Sequence, residues 1–152
     1  MRQCLLVGYG NTLRRDDGLG PVIAAALRDA GGIPDTQMQV IEIPQLDITL
    51  APTISESDLA IFVDARADDS EALVVSRVMD PDPDPPAPAH TSHSLSVSAL
   101  LRMTLDWYGK TPRCYMVMPK GFDFSIGRTL SPQAEEAAAQ AQTIILDLLR
   151  TG

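Results

Sequence analysis

Apolar and polar positions divide the chain into short apolar runs and longer amphipathic stretches. Cys4-Leu5-Leu6-Val7 closes on Gly8 and predicts a buried strand over residues 4–8. Leu19, Val22, Ile23, Ala26, Leu27 and Ala30 then recur at the spacing of one helix face. Gly31-Gly32 and Pro34 stop that helix, and Pro21 is expected at its first position with Gly20 as N-cap. Residues 37–43 predict a second strand, and 46–56 a short helix interrupted by Pro52. Leu59-Ala60-Ile61-Phe62-Val63 is apolar throughout and predicts a central strand.

A fourth strand is expected over 72–79, followed by a Pro/Asp-rich exposed loop from Asp80 to Ala89. Helical spacing returns with Val97, Leu100, Leu101, Leu105 and Tyr108, and residues 113–118 predict a further strand. A short strand is expected over 122–126. The last helix begins with Ser131 as N-cap and Pro132 at the first helical position, and runs to about Leu149. Strands alternating with helices predict one α/β domain over residues 1–152. Its architecture is a three-layer α/β/α sandwich on a mostly parallel or mixed sheet of about five strands.

Composition narrows the function. The 152 residues carry a formal charge of −8, which opposes phosphate backbones and anionic lipid surfaces and makes nucleic acid and membrane poor partners. Cys4 and Cys114 both fall inside strand runs and read as inert core thiols, compatible with a reducing cytoplasm. No long apolar segment suggests a signal peptide or a membrane span.

The loop Gly8-Tyr9-Gly10 between a strand and a helix invites a dinucleotide reading, which fails on two counts. The third glycine of that fingerprint would fall on Leu13, and Asp16 and Asp17 stand where a diphosphate would meet the helix. A different chemistry suits these residues. In an open α/β sheet ligands collect outside the carboxyl ends of strands. Asp17 follows the first strand and Asp64 ends the third, so the two loops can share a crevice. His93 is expected to open the third helix, with Thr91, Ser92 or Ser94 as cap, where the helix dipole favours neutral imidazole. Two carboxylates and one imidazole make an open first shell for a borderline divalent metal. Each residue also has a plainer reading: Asp16 or Asp17 as a helix cap, Asp64 as a turn residue, His93 and His90 as incidental surface histidines.

These motifs resemble the hydrogenase maturation endopeptidases, which remove a C-terminal extension from the large subunit of nickel–iron hydrogenases. The resemblance runs through Gly8-x-Gly10-Asn11-x-Leu13-x-x-Asp16-Asp17-Gly18-x-Gly20, Ile61-Phe62-Val63-Asp64-Ala65 and Ser92-His93. It continues in Gly121-Phe122-Asp123-Phe124, Gly127 and Leu130-Ser131-Pro132. It implies that Asp17, Asp64 and His93 complete the coordination of nickel already held by the substrate's cysteines, with no permanent cofactor in the enzyme. The partner it implies is the nickel-loaded large-subunit precursor, and the default oligomeric state is a monomer. Nickel would either polarise the scissile carbonyl or only position the tail, with Asp16 or another carboxylate as general base. Where some members carry Gly-Gly-Thr, this chain has Ile43-Pro44-Gln45-Leu46-Asp47-Ile48-Thr49, a candidate tail-binding segment. A non-proteolytic metal chaperone or sensor on the same scaffold, and a broad metallopeptidase, are the competing readings.

Overall fold

The computed structural model describes residues 1–68, 73–78 and 95–151. His90, His93 and the Pro/Asp-rich loop lie outside the described residues. Strand β1 (Arg2–Tyr9) pairs in parallel with β2 (Thr36–Ile43) on one side and β3 (Leu59–Val63) on the other. Beyond β3 lies β5 (Arg113–Pro119), also parallel, and β4 (Leu73–Val78) closes the edge antiparallel to it. The order is β2-β1-β3-β5-β4, a mixed five-stranded sheet.

Period-two alternation along the strands feeds two cores, one on each face of the sheet. Leu6, Ile61 and Val63 pack with Leu19, Ile23 and Leu27 of α1 (Leu19–Asp29) and with Ile145 and Leu149 of α4 (Pro132–Thr151). Leu5, Val7 and Phe62 pack on the other face with Ile54 of α2 (Ala51–Ser55) and with Leu100 and Leu101 of α3 (Val97–Tyr108). Strand β3 is buried on both faces because helices cover both, which its unbroken apolar run requires. Cys4 and Cys114 are buried, and burial pushes the Cys114 thiol up to about 12.

Three local expectations are corrected. A 3-10 turn over Arg15–Gly18 runs directly into α1, whose N-cap is Gly18, so Pro21 is the third helical residue and not the first. That position still lacks an intrahelical acceptor for its N–H, so proline costs no hydrogen bond there. Helix α3 begins at Val97, with the Ser96 side chain accepting from Ala99 N–H at 3.0 Å, so its cap is Ser96 and not an earlier hydroxyl. Residues 122–126 form no strand. The Asp123 carboxylate accepts from the Ser125 N–H at 2.9 Å and from its hydroxyl at 2.6 Å, a local turn that competes with extended pairing.

Candidate functional site

From β1 the chain crosses through α1 on one face to reach β2, then returns through α2 on the other face to β3. The loops leaving β1 and β3 diverge between adjacent parallel strands, which is the switch point where open α/β sheets bind ligands. Register sets what emerges there. Gly8 pairs with Val63, so Tyr9 and Asp64 leave the sheet side by side. The Asp64 N–H is tied to the Val117 carbonyl at 3.2 Å, which holds its backbone against β5.

Glycines bring the start of α1 onto this end of the sheet. A Cβ on Gly20 would lie 2.4 Å from the Val63 carbonyl oxygen and 2.6 Å from that of Tyr9. Gly10 has φ +148°, and a Cβ there would meet the Asp17 carbonyl oxygen at 2.0 Å. Any side chain at either position would lift the Asp17 turn off the strand ends. As built, the Asp17 carboxylate accepts from the Asn11 N–H at 2.9 Å and remains half-buried. It does not cap α1, which has no side-chain cap.

The charge of Asp17 reaches Asp64. Burial first, and then the charge of Asp17, push Asp64 up to about 6, although hydrogen bonds from the Tyr9 phenol and the Ala65 N–H act the other way. The Tyr9 phenol is in turn raised by its own burial, by the Asp64 charge and by donating to that carboxylate. Two neighbouring carboxylates, one held by a phenol and one by a backbone N–H, can accept a divalent cation. Tyr9 did not emerge from the sequence. The available signal was an aromatic hydroxyl in the register position next to Asp64.

Asp16 is arranged differently. It is fully buried. Its carboxylate accepts from the backbone N–H groups of Phe122, Asp123 and Ser131 at 2.8, 2.9 and 2.7 Å, and from the Ser131 hydroxyl at 2.6 Å. Burial alone would raise this carboxyl; the Ser131 hydroxyl and the three N–H groups outweigh it and hold Asp16 below the usual range. The Ser131 hydroxyl also accepts from Ala134 N–H at 3.2 Å, so the residue that caps α4 is the one that binds Asp16. Backbone bonds complete a clasp between the loops 10–18 and 121–131: Arg15 N–H to Gly127 O, Asp16 N–H to Asp123 O, and Gly127 N–H to Leu13 O, each at 2.9 Å.

Among the described residues no three carboxylate, imidazole or thiolate groups gather around one point; Asp17 and Asp64 are together, and the position of His93 lies outside that set. Beside Gly10 a cavity of about 230 Å³ is lined by Thr12, Pro21, Glu42, Ile43 and Pro44, at the carboxyl end of β2. A larger one of about 550 Å³, lined by Arg2, Asp35 and Arg150 among others, opens where β1 and β2 begin, at the opposite end of these strands from the two carboxylates. No described helix is long and apolar enough to cross a membrane.

The chain has the fold of the hydrogenase maturation proteases. The nickel–iron hydrogenase maturation protease HycI of Thermococcus kodakarensis KOD1 superposes with TM-score 0.72 at 20% identity, covering 99% of this chain and 93% of that one. The hydrogenase maturating endopeptidase HybD of E. coli gives 0.70 at 23% identity, over 99% and 93% of the two chains. An Escherichia coli endopeptidase solved in solution gives 0.73 at 23% identity, with the same coverage of each chain. No protein-family model matches the sequence, and no curated protein does.

Proposed function

We propose that the chain is a hydrogenase maturation endopeptidase, which removes the C-terminal extension of a nickel-loaded nickel–iron hydrogenase large-subunit precursor in the cytoplasm. The observation that carries this reading is the convergence of Asp17 and Asp64 at the switch point, close enough for the charge of one to raise the other. Solved structures of the same fold bearing that activity in their names support it. In this reading nickel arrives with the substrate as its cargo. Asp17, Asp64 and His93 offer two oxygen donors and one nitrogen donor, a set suited to Ni²⁺ with positions left for the substrate's thiolates.

Binding through nickel makes cleavage conditional on a loaded precursor, because an empty one lacks the ion that joins the two proteins. The metal brings the adjacent peptide bond to the crevice and so converts recognition into positioning. Asp16, the candidate general base from sequence, is assigned instead to holding the two loops together, since four donors already engage its oxygens. The cavity beside Gly10 and Pro44 is a fitting channel for the tail.

The test incubates the protein with nickel-loaded and nickel-free precursor and weighs the large subunit by mass spectrometry. Loss of the extension from the loaded form alone is the expected result. An unchanged mass with a stable complex would replace the protease by a metal-dependent chaperone. Cleavage of unrelated peptides, abolished by a chelator and restored by zinc, would replace it by a general metallopeptidase.

A further inference from the structure

The clasp does more than position Asp17. Large apolar side chains stand out from it into solvent: Ile126 is 85% exposed, Leu13 50% and Phe122 45%. Scattered exposed apolar residues are ordinary, but these sit on two loops laced together, with Leu13 and Ile126 flanking the bridge between Arg14 and Gly127. The backbone around them is held by the Asp16 hydrogen bonds and by the ion pair of Arg15 with Asp123. Holding such side chains outward on an ordered frame forfeits their burial within this chain.

The cations outside ion pairs on these loops run against the charge of the molecule. The chain carries −8, yet Arg14, Arg15, Lys120 and Arg128 gather here. Among the described residues Arg14, Lys120 and Arg128 belong to no ion pair. The Lys120 ammonium lies 5.3 Å from the centre of the Phe122 ring, which joins the cationic and apolar parts of the surface. Of the carboxylates on these loops, Asp16 is buried and already engaged, Asp123 is paired with Arg15, and Asp17 accepts from the Asn11 N–H.

We propose that this cationic, apolar ridge is the docking surface for the substrate protein, and that it takes an acidic segment with exposed apolar side chains on the folded large subunit, apart from the cleaved tail. The identity of the partner rests on the function proposed above; the chemistry of the segment rests on the ridge itself. Apolar contacts supply the affinity, and the cations steer an acidic surface toward a protein whose net charge would otherwise repel it. Because the ridge shares its backbone with the Asp17 turn, a docked subunit is aligned with the two carboxylates.

The experiment measures binding of the nickel-loaded precursor to the immobilised protein at low and moderate salt, together with the mass of the large subunit after incubation. Wild-type affinity is expected to fall with salt. Arg14→Glu/Arg128→Glu is expected to lose about tenfold or more in affinity and most of its salt dependence. Ile126→Ala is expected to weaken binding while keeping the salt dependence. Arg102→Glu, at a residue paired with Asp106 on α3, is the control and binds as wild type. Melting temperatures matching wild type exclude misfolding of the variants. Equal binding by all variants, with cleavage intact, overturns the docking surface and leaves the protease reading standing. Salt-sensitive binding by wild type, lost in the charge-reversed variant, with no change of mass, does the opposite. Neither binding nor cleavage by wild type overturns both.

Discussion

Asp16 and Asp17 are adjacent identical residues in one turn, and the structure uses them in opposite ways. Asp16 is sealed under four donors that stabilise its charge, while Asp17 keeps, among the described residues, a single backbone donor and lies within reach of the Asp64 carboxylate. One lowers the energy of its ionised form by joining distant loops. The other raises the energy of its neighbour, and the rest of the fold supplies the stability that tolerates it. A buried carboxylate is therefore no sign of a reactive site; the number of donors around it separates scaffold from function.

The difference can be broken first at the functional side. Asp17→Asn or His93→Ala is expected to reduce processing by about 10²–10⁴-fold at unchanged melting temperature, as loss of a side chain that holds nickel in the proposed reading would. Full activity in either variant removes that residue from the mechanism. On the scaffold side, Asp16→Ala strands the hydroxyl and three N–H groups that converge on it. It is expected to cost about 3–5 kcal/mol in chemical denaturation. A loss below 1 kcal/mol would show that the clasp is held without it. Leu100→Ala, buried in the core on the α2/α3 face of the sheet, is expected to cost about 2–5 kcal/mol without touching the carboxylates.

Asp64 offers a subtler test because its sign is reversed. With its folded pKa raised to about 6 from an ordinary 3.8, the native state keeps a proton that the unfolded chain releases. Its contribution to stability is complete below about pH 4 and is lost as pH rises through 6. Asp64→Asn removes that loss, so the variant should gain on wild type by about 1–3 kcal/mol between pH 4 and 7 while losing activity. A constant difference across that range would contradict the shift. The smallest effect is expected from Tyr9→Phe, which deletes one hydrogen bond to Asp64 and should cost about 1 kcal/mol.

Much of this was legible along the chain, and the exceptions share a cause. Strands β1 and β3 were readable because both faces are covered and their apolar runs have no breaks. The convergence of Asp17 and Asp64 followed from where their strands end. The division of labour between Asp16 and Asp17 did not, because the donors that define Asp16 lie 106 to 115 residues later. The start of α3 was misplaced for a local reason: several serines and threonines precede Val97, and only the geometry picks Ser96. Residues 122–126 read as a strand because their apolar side chains alternate, whereas Asp123 turns the backbone back on itself. Phe122 and Ile126 form part of the exposed ridge, which explains why a burial-based pattern misread them.

A carbon-13 NMR titration of the Asp64 carboxyl, in the wild type and in Asp17→Asn, reaches the pairing of the two carboxylates without any substrate. The account predicts a midpoint near 6 in the wild type that moves down when the neighbouring charge is removed. A midpoint in the ordinary carboxylate range, or one indifferent to Asp17, would mean that the two side chains do not share a site.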